Sequence, residues 1–536
     1  MLRLPTLVNF PFIFWKKYQA PSFNDEESAA LLISNEVDET FIKHKNHGAI
    51  ASPTIINEIS FHYPNTIDSP LVSTRKKNLY YYWKYGGIQQ ELQAILRFGI
   101  PLIVTFLLGV GNKVIDVWFL GKIGSEAMAI VSLGNLFVTV AGLSVGQGIL
   151  TAIDTLVAQA FTGASNTYTL GMILQRGLSI MYLFGTFVAI TWCYSEQILL
   201  SIGQSPELAR MAHEYILYFI PNIFLIFTIV ALRKFLQGLG EMKVTMYLIM
   251  VLFPINIASN YFFVIYLNIG FIGAAYHSVF ITTVLLSVYI LVIFVCIDIK
   301  KYWPGFTTQA FCHWGEFLKL GIPGMLSVST DWAFEVCAII TGVLGQTSLA
   351  AQSVVISCNT LLLMIPSALT TALAVRLGHH LGANQPQKTK LCVMLASTIG
   401  IVFVFIDSIL LYMNRSAIAN SFSKDELVID AIMELMGVGS LAHFAMGFGI
   451  VLSGTLNAFG KQHMVAVFNI VSYYIIGLPF GLYMTSKHNW GLIGIWSGVV
   501  LAGLLKSIAE AATLVFFIDW KKECILAAKR INKQEN

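Results

Sequence analysis

Two carboxylates stand in long apolar stretches: Asp116, in Val114-Ile115-Asp116-Val117-Trp118-Phe119, and Glu335, in Trp332-Ala333-Phe334-Glu335-Val336-Cys337. In hydrocarbon an ionisable side chain costs about 2.5–3.5 kcal/mol even on the lenient insertion scale, so it marks an ion or substrate pathway unless packing accounts for it. Desolvation also raises a carboxyl pKa, which brings proton uptake and release into a working range. Asn256 and Asn260, four apart on one helical face, together with Ser278 supply the neutral amides and hydroxyl to surround Asp116. Asp116, Glu335, Asn256, Asn260 and Ser278 are therefore the expected proton-coupling set. Near Glu335, Trp332, Phe444, Tyr473 and Tyr474 offer aromatic faces to an organic cation, and His443 offers a further titrating group. Asp154, Gln159 and Arg376 are expected to brace or gate helix ends. The competing reading makes the two acids a polar packing pair and the aromatics a lipid-facing surface.

Those residues need elements to hold them, and composition decides the solvent. With 56% hydrophobic and 12% charged residues, and a mean hydropathy of +0.71, the chain is far more apolar than a soluble domain, where about a quarter of residues are charged. Apolar windows long enough to span lipid fall at 99–120, 127–150, 171–194, 212–235, 245–267, 273–297, 317–343, 349–371, 389–413, 430–454, 464–485 and 492–517. An even number of spans puts both termini on one side. Basic residues before the first span (Arg75, Lys76, Lys77) and at alternate connections (Arg233, Lys234, Lys243, Lys300, Lys301, Lys388, Lys390, Lys461, Lys521, Lys522) predict that this side is cytosolic. The net charge of +4 is spread along the chain and excludes a nucleic-acid-binding face.

The spans come as two copies of one unit. Arg97-Phe98-Gly99-Ile100-Pro101 answers to Lys319-Leu320-Gly321-Ile322-Pro323, and Leu120-Gly121 to Leu344-Gly345. Leu236-Gln237-Gly238-Leu239-Gly240 answers to Leu456-Asn457-Ala458-Phe459-Gly460, and Gly270-Phe271-Ile272-Gly273 to Gly491-Leu492-Ile493-Gly494. All four anchors keep a spacing of about 220 residues, the signature of a transporter built by internal repetition. The expected fold is an all-α membrane protein of twelve transmembrane helices, in two six-helix lobes around a V-shaped central cavity. An amino-terminal lobe covers 91–300 and a carboxy-terminal lobe 301–518, with a disordered cytosolic tail over 1–90 and a short cytosolic tail over 519–536.

The remaining motifs carry little chemistry. Gly142-Leu143-Ser144-Val145-Gly146 matches the nucleophile-elbow letters, yet it lies inside an apolar helix where glycines serve close packing. The seven cysteines contain no C-x-x-C pair, so neither a zinc site nor a disulfide framework is expected, and His44-x-x-His47 lacks partner ligands. No metal and no cofactor are expected. Glu27-Ser28-Ala29-Ala30-Leu31-Leu32 has the form of an acidic dileucine sorting signal for an adaptor.

Ile153-Asp154-Thr155-Leu156 through Gln159-Ala160-Phe161, with Leu344-Gly345-x-x-x-Leu349-Ala350-Ala351-Gln352-Ser353 and Val375-Arg376-Leu377-Gly378-x-x-Leu381-Gly382-Ala383, resembles the signatures of the multidrug and toxic compound extrusion transporters, eukaryotic branch. The likeness runs from 91 to about 518. It implies two six-helix bundles around a central cavity and export of amphipathic cations driven by protons or sodium. Asp116, Asn256, Asn260 and Ser278 match the family's amino-terminal proton network, and Glu335 its acid on the seventh helix. This chain departs from the family at the tenth helix, where Leu441-Ala442-His443-Phe444 replaces an acid, and at Ser357 on the eighth. A sodium site of several carboxylates is then hard to assemble, which favours protons.

The expected function is antiport of organic cations out of the cytosol against protons, by a monomer in a vacuolar, lysosomal or plasma membrane, with the bilayer as its main partner. An organic-anion carrier or a lipid-linked substrate flippase would need cavity cations, and Arg and Lys look nearly absent from mid-span positions; an intramembrane enzyme would need clustered acids or histidines. Changing Leu31 and Leu32 to Ala is expected to move the protein between membranes, visible by imaging a tagged chain.

Overall fold

The computed structural model describes residues 87–328 and 346–535. Among these no strand occurs, and eleven helices are long and apolar enough to cross a bilayer. With no water in hydrocarbon to bond a free N–H or C=O, each apolar segment closes its own hydrogen bonds as a helix. The first lobe holds α1 (Gly87–Ile123), α2 (Ser125–Gly163), α3 (Tyr168–Trp192), α4 (Pro206–Gly238), α5 (Met242–Tyr266) and α6 (Ile272–Cys296). The second holds α7 (Trp314–Val328), α8 (Gln346–Gly382), α9 (Pro386–Met413), α10 (Glu426–Ala458), α11 (Gln462–Lys487) and α12 (Gly491–Phe517). The expected seventh span, 317–343, is described only as far as Val328, so the twelve expected spans stand as eleven plus the start of α7.

The repeat read from sequence reappears as matched helix ends. Gly240 closes α4 with φ 87° and Gly460 closes α10 with φ 75°. In both, the next N–H reaches back five residues, Glu241 to Leu236 at 2.9 Å and Lys461 to Leu456 at 3.0 Å. A left-handed residue is needed at that turn, which glycine supplies without strain.

Helix α2 runs along the second lobe and sets how the halves meet. A side chain at Gly148 would collide with the backbone of Met325 and Gly324 in α7, and one at Gly378 of α8 with Ala158 of α2. Small residues let these backbones touch, the usual basis of helix packing in lipid. The Gly142–Gly146 pentapeptide is helical within α2, and added side chains there would strike Val188, Trp192 and Phe227.

Within the segment expected as a short tail over 519–536 the chain forms a helix, α13 (Trp520–Glu535). Its Cys524, Ala527 and Ile531 recur at helical spacing and are buried, while lysines occupy the opposite face. Gly148→Leu is expected to force α2 from α7 and lower stability by about 1–3 kcal/mol. Gly109→Leu, where nothing lies within 4 Å, should stay within about 0.5 kcal/mol; denaturant unfolding in detergent compares the two.

Candidate functional site

Asp116 lies near the carboxy-terminal end of α1. Its Oδ1 accepts from Asn260 Nδ2 at 2.7 Å and from Asn256 Nδ2 at 3.2 Å, both donors from α5. The Asp116 side chain is 46% exposed, while Asn256 and Asn260 are buried behind it. The carboxylate is thus partly exposed, in front of two buried neutral amides that donate to it. The three residues expected together from sequence do come together. Ser278 is placed elsewhere, its Oγ accepting from Asn222 of α4 at 2.9 Å.

Its neighbour His277 fills the space instead. Buried to 3% exposure, it brings Nε2 to 2.9 Å from Asn260 Nδ2 and 3.5 Å from Asp116 Oδ1. The sequence reading passed over His277, although a histidine in an apolar span obeys the same rule that singled out Asp116.

In the second lobe, Glu335 and Trp332 lie outside the described residues. His443, fully buried, holds Asp407 Oδ2 of α9 at 3.0 Å. Glu510 of α12 is also fully buried; one oxygen accepts from Ser453 at 2.7 Å and the other has no partner. Lys506 lies one turn before it at 7% exposure, which corrects the expectation that mid-span positions hold almost no cation. Asp407, Lys506 and Glu510 were legible as charges inside apolar windows, but they lack the repeat mates that drew attention to Asp116 and Glu335. Tyr473 is 5% exposed in a cluster with Val355, Trp496 and Val499, with Tyr474 packed against it, so in this conformation both rings are packing surface and not open cavity wall. Phe444 stacks on Phe448 and meets Phe405 edge-on between α9 and α10.

Of the residues expected to gate, Gln159 and Arg376 join the lobes, at the end where α1 begins and α13 docks. Gln159 donates to Ala458 O at 2.8 Å, Thr155 to Asn457 O at 2.9 Å and Thr162 to His379 O at 2.6 Å. Arg376 of α8 binds Glu91 of α1 through two parallel bonds, 3.0 and 2.8 Å, and His380 adds a third contact at 3.1 Å. Such a bidentate pair is directional and strong. Asp154 pairs with Lys234, tying α2 to α4 within one lobe. Cys392 brings a thiol beside Glu91 and His380, their ligand atoms all within 4.8 Å. The Arg376 guanidinium already engages both Glu91 oxygens and would repel a cation, so the cluster serves as a clasp.

Helix α13 lies across this closure. Arg530 donates to Gln159 Oε1 at 2.9 Å and to Phe459 O at 2.6 Å. Lys533 reaches Glu316 of α7 at 3.1 Å, and Arg176 of α3 bonds Gln534. Glu535 accepts from Ser165 N and Oγ, both at 2.7 Å, and from Asn166 N at 3.2 Å. Partial burial raises its pKa, but these bonds outweigh that and hold it below the ordinary carboxylate value. Its share of α13 docking is thus complete above the ordinary value and lost only as pH falls through the depressed one.

Comparison with known proteins decides the kinship. The MatE family model matches residues 101–262 and again 324–483, once per lobe. The chain belongs to the MatE family. Among MatE relatives it is similar to an uncharacterized transporter of Schizosaccharomyces pombe, 30% identical over 82% of each chain. It is also similar to multidrug and toxin extrusion protein 2 of Oryctolagus cuniculus, 32% identical over 84% of this chain and 74% of that one. The crystal structure of the eukaryotic MATE transporter AtDTX14 superposes with a TM-score of 0.77 at 23% identity, covering 83% of this chain and all of that one. The protein is thus a multi-pass membrane transporter with the MatE two-lobe fold.

Arg376→Ala strands Glu91 in a buried site beside His380, and breaking a buried pair in this way costs about 3–5 kcal/mol. The closure should loosen, and the Cys392 thiol, fully buried here, should react faster with a maleimide; the labelling rate against wild type checks this.

Proposed function

We propose that the protein is a proton-coupled antiporter that exports amphipathic organic cations from the side bearing its termini, taken as cytosolic from its loop charges. The observation that carries this reading is the Asp116 carboxylate, half-exposed in front of buried neutral amides. Amide nitrogens of Asn256 and Asn260 donate to that carboxylate, and the His277 ring lies beside it. A sodium ion needs several converging oxygens, so the surroundings favour a proton as the coupling ion.

With the lobes clasped at the terminal end, the cycle begins from the conformation open at the other end. A proton from an acidic exterior or lumen neutralises Asp116 and Glu335, which removes the charge attracting a cation, and the substrate leaves. Neutral acids cost less to bury, so protonation biases the lobes toward the opposite opening. The Glu91–Arg376 clasp and the Gln159 bonds must break for that step. On the cytosolic side the acids lose their protons and reload. Proton drive suits a vacuolar or lysosomal membrane, and equally a plasma membrane facing an acidic medium.

One observation favours an organic-anion substrate: the buried Lys506 cation. Glu510, one turn away on the same helix and also buried, balances its charge and leaves no net positive site.

Efflux of a fluorescent cation from proteoliposomes under an imposed pH gradient tests the proposal. Asp116→Asn should reduce the response to the gradient by about tenfold, the worth of one pKa unit, and leave substrate binding nearly intact. Glu335→Gln should show the reverse balance, losing binding first. Wild-type transport by both variants overturns the reading.

A further inference from the structure

The two halves of α13 are held by different forces. In the first half Cys524 and Ala527 are fully buried, in one apolar cluster with Leu377 and Leu381 of α8 and Cys392 of α9. Trp520 meets Phe459 edge-on with ring centroids 5.9 Å apart, and the buried Glu523 pairs with Lys461 at 2.9 Å. All of these partners belong to the second lobe. The chain itself adds to that hold, since α12 ends at Phe517 and α13 begins at Trp520.

The second half reaches the first lobe through polar groups that face two helix ends. Four donors converge on the Glu535 carboxylate: Ser165 N and Oγ at 2.7 Å, Asn166 N at 3.2 Å and Thr169 Oγ1 at 3.4 Å. These groups lie where α3 begins at Tyr168, so the carboxylate also faces the positive end of that helix's dipole. Ser165 and Asn166 are exposed. Arg530 does the reverse: one nitrogen binds Phe459 O at the carbonyl end of α10, while another holds Gln159 of α2. Gln534 accepts from Arg176 of α3. Ile531 is the apolar part of this hold, buried where a side chain at Gly163 would strike it.

These two kinds of attachment release at different cost. Withdrawing residues 520–527 exposes an apolar cluster and leaves a buried acid without its cation, which is costly. The exposed bonds of Glu535 exchange for bonds to water with a small net loss. We propose that residues 530–535 of α13 form a releasable latch on the clasped end: Arg530, Gln534 and Glu535 hold the α2–α3 turn while the lobes are together and let go of it when they part, with residues 520–527 staying on the second lobe. This rests on the proposed alternation between two openings, though not on which ion or compound moves. Gln159 is thereby secured twice, to Ala458 O by its own amide and to α13 through Arg530. Clasp and latch must therefore open together, and the strength of the latch sets the share of molecules open at this end.

Spin labels on Glu241→Cys in the first lobe and Lys390→Cys in the second, both exposed positions, report the opening as a distance. The full chain is used in lipid nanodiscs, with its native cysteines changed to Ser. Glu535→Arg should raise the ratio of open to clasped molecules about tenfold, the weight of roughly one hydrogen bond to a charged group. Adding Ser165→Asp restores an opposite-charge pair and should bring the ratio back to near wild type, which separates a latch from a folding defect. Ser165→Asp alone sets a second acid against Glu535 and should raise the ratio. Ending the chain at Lys529 should raise it at least as much as Glu535→Arg. Joining Ser165→Cys to Glu535→Cys with a short cleavable thiol cross-linker should stop cation efflux from proteoliposomes, and cleavage should restore it. Unchanged ratios in Glu535→Arg and in the shortened chain overturn the proposal. A double variant no nearer wild type than Glu535→Arg, or a cross-linked chain that transports at the full rate, overturns it as well. A wild-type chain that moves no cation while the distances shift as expected upholds the latch and fails the cation-export reading.

Discussion

The passage of α2 along the second lobe is the contact on which the rest depends. Lipid offers no hydrophobic reward for joining two apolar bundles, so the lobes must be held by close backbone packing and by polar groups satisfied across the seam. Helix α2 supplies both. Gly148 lets it touch α7, Ala158 receives α8 at Gly378, and Thr155, Gln159 and Thr162 place hydrogen bonds on backbone carbonyls of the other lobe. These bonds gather at one end, and the half-exposed Asp116 lies toward the other.

That polarity gives the charged residues two different jobs. At the clasped end Glu91 and His380 are buried, Arg376 and Arg530 are partly buried, and all four are paired, so their bonds hold one conformation. Toward the other end Asp116 is half-exposed and accepts from the neutral amides of Asn256 and Asn260. An acid paired with a guanidinium is held in one geometry, whereas an acid bonded to neutral amides is not fixed by an ion pair. The bidentate partner of Glu91 and the neutral amide partners of Asp116 separate the two roles.

The second lobe distributes its ionisable groups differently. Asp407 with His443 and Glu510 near Lys506 are acid and base neighbours, deep in α9, α10 and α12. Each acid there has a potential cation close by, so burial costs less than for a lone charge. None of the four has a chemically similar mate at the repeat spacing, so the two copies share an architecture and have diverged in their charges.

The sequence by itself determined the all-helical membrane fold, the two-copy plan and the grouping of Asp116 with Asn256 and Asn260. Each of these rests on local or periodic signals: apolar length, glycines at obligatory left-handed turns such as Gly240 and Gly460, and amides four residues apart. It also marked Gln159 and Arg376 as gate residues by their motifs. Only the tertiary structure decided which side chains meet across helices. One residue of rotation on α6 exchanges Ser278 for His277 beside Asp116, and no periodicity in a uniformly apolar helix fixes that angle. Glu91 as the partner of Arg376, some 285 positions away, and the docking of α13 beneath both lobes likewise depend on how the lobes close, which is a property of the packed pair and of neither copy alone.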